Sequence, residues 1–308
     1  MRRKFLYSSL LKQYLQPELV TKLEEILPEN NKVSQFSVFL YEDDERNEQL
    51  RQLLAEHGVQ YLKDGAWDYK SACYMVDTYY EYEPVDLECA DYFMLYEPEF
   101  AMADKQIRPD GRLWIQVNDS TDGRVSYYNI PDRHIGAAVF GWFLVSPTFR
   151  RAIESRKLIG PVFEDTVPFY RDADLGTNAE DAEPVDWAEV GWGPLYIMGS
   201  HITLPPVHPD IKLTSFHGRE EDWVDYPRDT EGPAKVREGR WPPSELHYLR
   251  SEMEEVEPFD VGRVRASGSK IKYRPDAGHQ LVFSRRFYDL CNEMGLKLTW
   301  HPVYLEDD

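Results

Sequence analysis

The sequence predicts an α+β fold: duplicated strand-helix-strand units on a mixed sheet, preceded by a helical and β-α-β N-terminal segment. Two observations carry this. Apolar runs of strand length alternate with short amphipathic helices, and one strand-helix-strand pattern occurs twice. FLVSPTFRRAIESRKLIGPVFEDTV (143–167) and LVFSRRFYDLCNEMGLKLTWHPV (281–303) each open with an apolar strand ending in serine, Ser146 or Ser284. Counting from that serine, phenylalanine follows at three (Phe149, Phe287), an apolar residue at seven (Ile153, Cys291) and leucine at twelve (Leu158, Leu296). Each copy closes on an aromatic residue and a valine, Phe163 with Val167 and Trp300 with Val303. A serine that caps a helix, with apolar positions on one face, accounts for the pattern. Phe149 and Ile153 are therefore expected at the places of Phe287 and Cys291.

Before the repeat, Leu6, Leu10, Leu11, Leu15, Leu19, Leu23 and Leu27 lie at near-helical spacings, which predicts a helical 1–28 with a second helix starting at Pro17. SVFLY (37–41) reads as a strand, NEQLRQLLAEHG (47–58) as a helix stopped at Gly58, and 59–62 as a returning strand. Residues 74–100, rich in Tyr, Val and Phe, read as sheet, as do RLWIQV (112–117), VSYYNI (125–130) and AVFGWFLVS (138–146). An acidic loop is expected at 171–184 and an irregular, proline-rich stretch at 205–243. The expected organisation is an N-terminal segment 1–86, a first repeat unit 87–184, and a second, 185–308, packed with the first as one domain.

Lys and Arg number 35 against 55 Asp and Glu, a formal net charge of -20 that repels phosphate backbones and anionic membranes, so nucleic acid and membrane are not expected partners. The same charge fits either plain solubility or an acidic face for a basic partner. Three cysteines without a CxxC pair signal neither a disulfide framework nor a zinc site and fit a reducing compartment, so a cytoplasmic location is expected. Cys73, Cys89 and Cys291 are each expected to be buried small hydrophobes. The opening MRRKFLYSSLLKQYL reads as helix and not as a signal peptide, because Ser8, Ser9, Lys12 and Gln13 interrupt its apolar run.

The two repeats, together with NIPDRHIG (129–136) and WPPSELHYLRSEMEEVEPFDVGR (241–263), resemble bacterial immunity proteins of polymorphic-toxin systems, the double-CxxCG-motif family and its relatives. The similarity covers roughly residues 87–308. That family alternates a cysteine element with a strand, a serine-led helix and a closing "PV" strand, as Pro302 and Val303 close this chain; the cysteine pairs are missing here. The resemblance implies a cytoplasmic protein that neutralises a cognate protein toxin by direct binding, without catalysis.

Motif searching agrees with a non-enzyme: there is no GxSxG, no HExxH and no glycine-rich phosphate loop. His201 and His208 flank Pro205 and Pro206 and could in principle share a metal in a hydrolase, but only Asp210 stands near as a third ligand, so no metal or cofactor is expected. A scaffold for an unknown partner is the remaining alternative. The candidate partner-binding residues are the acids of expected loops, Glu42, Asp43, Asp44, Asp172, Asp174, Glu220, Glu221 and Asp222, with Trp223 as an aromatic anchor. Trp187 and Trp192 sit in similar acidic, loop-like surroundings.

Overall fold

The computed structural model describes residues 2–10, 17–27, 37–61, 72–95, 102–103, 105–107, 113–116, 134–138, 142–169, 183–190, 193–210, 212–215, 224–225, 240–241, 246–264 and 281–307. They form two compact units, residues 1–89 with 214–224 and residues 90–213 with 225–308.

The first unit runs β1 (Arg2–Leu10), α1 (Pro17–Ile26), β2 (Ser37–Tyr41), α2 (Arg46–Glu56), β3 (Gln60–Tyr61), β4 (Cys73–Glu81) and α3 (Pro84–Glu88). Its sheet has the order β2-β1-β4-β3, with β1 antiparallel to both neighbours and β3 parallel to β4. The helical expectation for the first ten residues is corrected: Arg2–Leu10 is the inner strand β1. Its aromatics decide this, because alternation sends Tyr7 into the core between Val38 and Val76, and the leucine spacing is a coincidence. Leu19, Leu23 and Leu27 of the α1 segment and Leu50, Leu53 and Leu54 of α2 cover the Tyr7, Val38, Leu40 and Tyr74 face of the sheet. Tyr7 is fully buried, and its hydroxyl accepts from Arg51 Nε at 2.9 Å. Cys73 is buried as expected, but Cys89 is exposed, since the chain ends α3 there instead of continuing a strand.

The second unit contains β5 (Tyr92–Leu95), β6 (Met102–Ala103), β7 (Lys105–Ile107), β8 (Leu113–Gln116), β9 (Ile135–Ala138), β10 (Trp142–Val145), α4 (Pro147–Ser155), β11 (Pro161–Phe169), α5 (Trp187–Val190) and β12 (Tyr196–Ser200). In chain order come short strands β13 (Lys212–Ser215) and β14 (Val224–Asp225), whose residues 214, 215 and 224 belong to the first unit, and then in the second β15 (Arg240–Trp241), β16 (Leu246–Leu249), α6 (Arg250–Glu254), β17 (Val261–Arg263), β18 (Leu281–Ser284), α7 (Arg285–Glu293) and β19 (Trp300–Glu306). The run AVFGWFLVS is not one strand. Trp142 pairs with Ala138, so β9 and β10 are antiparallel neighbours, and an apolar run that continues from one into the other hid the division. The expected strand 125–130 and most of the two expected loops lie outside the described residues.

The sheets of this unit have orders β6-β9-β10-β12-β11-β8-β7 and β17-β18-β5-β19-β16. Five strands of the first correspond to the five of the second. β10, α4 and β11 match β18, α7 and β19, while β9 matches β17 and β8 matches β16. Registers agree throughout: Val145 faces Ile135 as Phe283 faces Val261, Phe163 faces Met198 as Trp300 faces Leu95, and Thr166 faces Leu113 as Val303 faces Leu246. Thr166 and not Val167 is thus the counterpart of Val303, because the connection before β11 is one residue longer than that before β19.

Both repeat helices are nine residues long and start alike. The Ser146 hydroxyl accepts from Phe149 N–H at 3.1 Å and the Ser284 hydroxyl from Phe287 N–H at 3.3 Å, each serine in extended backbone. They stop alike too, with Lys157 (φ 51°) and Gly295 (φ 70°) turning left-handed and the next residue, Leu158 or Leu296, donating back to Ile153 or Cys291. Phe149, Ile153, Phe287 and Cys291 are all buried at the expected places. The two phenylalanines touch edge to face, with ring centroids 5.8 Å apart.

Replacing either cap by alanine is expected to cost about 0.5–2 kcal/mol. Ser284→Ala should cost more than Ser146→Ala, because the second partner of the Ser284 hydroxyl is the Asp260 carboxylate at 2.6 Å, a stronger acceptor than the His134 ring nitrogen 3.1 Å from Ser146. Urea unfolding of both variants checks the order, and equal midpoints would contradict it.

Candidate interaction surface

Of the acidic residues expected to bind a partner, Glu42, Asp43 and Asp44 are described, and they form the turn from β2 to α2. Each has a different role. Asp44 holds the turn: its carboxylate accepts from Arg46 Nε and Nη2 at 2.8–3.1 Å and from Arg46 N–H at 3.0 Å. Those hydrogen bonds from Arg46 hold its carboxyl below the usual range, so the contribution is complete above that range and fades as pH falls through the depressed value. Glu42 is ion-paired with Arg3. Asp43, with its side chain 84% exposed and 3.9 Å from Arg2, is the one the turn presents to solvent. Buried Asn47 fastens the turn by donating to Tyr41 O at 2.6 Å and Asp44 O at 2.9 Å.

Alternation on β2 places Val38 and Leu40 in the core and Phe39 on the opposite face of the sheet, where it is 51% exposed beside half-buried Leu6. Tyr41, two residues on, continues that face. The Arg2 guanidinium lies over its ring at 3.7 Å, and its hydroxyl donates to Glu81 Oε2 at 2.6 Å. That bond to Glu81 raises the Tyr41 pKa. Beyond Glu81 at the end of β4, Glu83 and Asp86 form a reciprocal capping box that starts α3. α3 exposes Val85 (60%) with Glu83, Glu88 and Cys89. Exposed aromatic and aliphatic side chains that accompany exposed acids have the composition of protein-binding groups.

Phe39, Tyr41, Glu81 and Val85 were not among the residues expected from the sequence. Two signals could have found them: the outward phase of SVFLY, and a stretch from residue 71 to 104 that has nine acids and no Lys or Arg. Asp172, Asp174, Glu220, Glu221, Asp222, Trp223 and Trp192 lie outside the described residues. Trp187 is half-buried, its indole donating to Thr166 O at 3.1 Å, which fastens α5 to β11.

His201 is exposed at the end of β12. His208 Nδ1 accepts from Asp210 N–H at 3.2 Å, and the His208 backbone N–H donates to His247 O at 2.7 Å. No group of three metal-ligating side chains occurs among the described residues. His134 Nδ1 lies 3.1 Å from Ser146 Oγ, but that oxygen is buried and already accepts a helix N–H, so the pair positions a helix. Burial of Cys291 pushes its thiol well above the ordinary range, which suppresses the reactive thiolate. Among the described residues no helix is long and apolar enough to cross a membrane. Neither a protein-family model nor a curated protein matches the chain.

Proposed function

We propose that the chain is an immunity-type protein that neutralises a cognate, basic bacterial toxin by direct binding in the cytoplasm, and that the first unit presents the contact surface. The observation that carries this is the exposure of Phe39 and Val85 in a unit that also exposes Asp43, Glu81, Glu83 and Glu88. The chain's net charge of -20 supports it, because opposite potentials accelerate encounter and align the partners while a desolvated aromatic holds the complex.

The test is a toxin encoded beside this gene. Inducing it should arrest growth, and co-expression of the chain should restore growth. With purified components, Asp43→Lys should slow association several-fold at low salt and much less at high salt. Phe39→Ala should speed dissociation by about 30-fold, the size of a 2 kcal/mol hot spot. Growth arrest that the chain does not relieve would refute the reading.

A further inference from the structure

The second unit has the topology of a strand-exchanged pair. Its first half opens with β5, yet β5 lies in the middle of the second half's sheet, antiparallel to β18 and β19. The second half opens with β12, which lies in the same place in the first half's sheet, between β10 and β11. After crossing, each segment returns to its own half. Met102 of β6 pairs with Ala137 of β9, and Ile202–Leu204 runs beside β17, with Arg263 donating to Ile202 O at 2.8 Å and Leu204 donating to Arg263 O at 2.9 Å. The two exchanges are equivalent in register, Val145 facing Tyr196 as Phe283 faces Phe93.

Equivalent residues also meet each other. Phe149 packs on Phe287, an arrangement that occurs where a twofold axis passes between copies. Removing either opening strand would leave the strand on each side of it paired along one edge only and would uncover Phe93, Met94 and Leu95, or Ile197 and Met198, all buried.

We infer that the two halves are each other's binding partner, a fused strand-exchanged dimer in which the covalent link between β11 and α5 is dispensable once the unit has formed. The measurement uses the full chain with a specific protease site inserted at residue 177 or, in a second version, at residue 180, each checked uncut by circular dichroism. After cleavage at micromolar concentration, two fragments on a denaturing gel should elute together at the volume of the uncut chain, with an unchanged spectrum. Mixing isotope-labelled and unlabelled cut protein should then give no exchange of fragments over a day in native buffer, and complete exchange at urea concentrations that unfold the unit. Withdrawal of an inner strand breaks two ladders at once, whereas halves docked by surfaces alone would trade partners without unfolding. Separation of the fragments, loss of the fold on cutting, or exchange within minutes in native buffer would each overturn the inference.

Discussion

Phe287→Ala is expected to lower the stability of the second unit by about 3–5 kcal/mol, the cost of deleting a fully buried aromatic that its surroundings cannot collapse to replace. The side chain has no exposed surface and is ringed by other aromatics. It meets Phe149 at 5.8 Å, Phe283 at 4.4 Å and Trp300 at 6.5 Å between centroids, so the cavity would open where both halves come together. Phe149→Ala should cost a similar amount, and the double variant less than the sum, because the two rings share one contact. Urea unfolding followed by fluorescence measures all three. A Phe287→Ala loss below about 1 kcal/mol would mean that the helices do not pack as described.

Asp260→Ala is expected to cost about 2–4 kcal/mol, less than a fully buried ion pair because its Arg286 partner is 57% exposed. Asp260 itself is 2% exposed. One carboxylate joins three places: it accepts from the cap hydroxyl of Ser284 at 2.6 Å, from Ile159 N–H at 2.8 Å and from Arg286 Nη1 at 2.8 Å. Its removal leaves the Ile159 N–H and the buried Ser284 hydroxyl without their acceptor. Asp260→Asn keeps an oxygen for one of them and should lose about half as much. Thermal and urea midpoints of the two variants, compared with Arg286→Ala, separate the hydrogen-bonding loss from the ion pair. An alanine variant as stable as the parent would remove Asp260 from this role.

The strand-helix-strand repeat was legible because a capping serine and a buried phenylalanine three residues later are both local requirements of one helix start. Ser146 with Phe149 and Ser284 with Phe287 therefore display the same spacing in the sequence. The exchange of β5 and β12 was not legible. A strand carries no mark of which sheet it completes, and the partners of Phe93 and Tyr196 are fixed by packing across the whole unit. β1 misled for a related reason: leucines at four-residue spacing fit a helix, and only the neighbours of Tyr7 show which side chains turn inward. The surface was half legible. Acidity marked the turn at Glu42–Asp44, but charge alone could not tell Asp44, spent on Arg46, from Asp43, which faces solvent.

The place of β5 also has a consequence for biosynthesis. Phe93 pairs with Phe283, roughly 190 residues later, so at about 5–20 residues per second an apolar strand waits on the order of 10–40 s for its neighbours to be made. Throughout that interval YFML is an unpaired, uncharged segment, open to the strands of other nascent chains. The first half cannot shield it, since its own sheet reserves the equivalent place for β12. Yield in a cell therefore depends on chaperone capacity and translation speed more steeply than the stability of the finished protein would suggest.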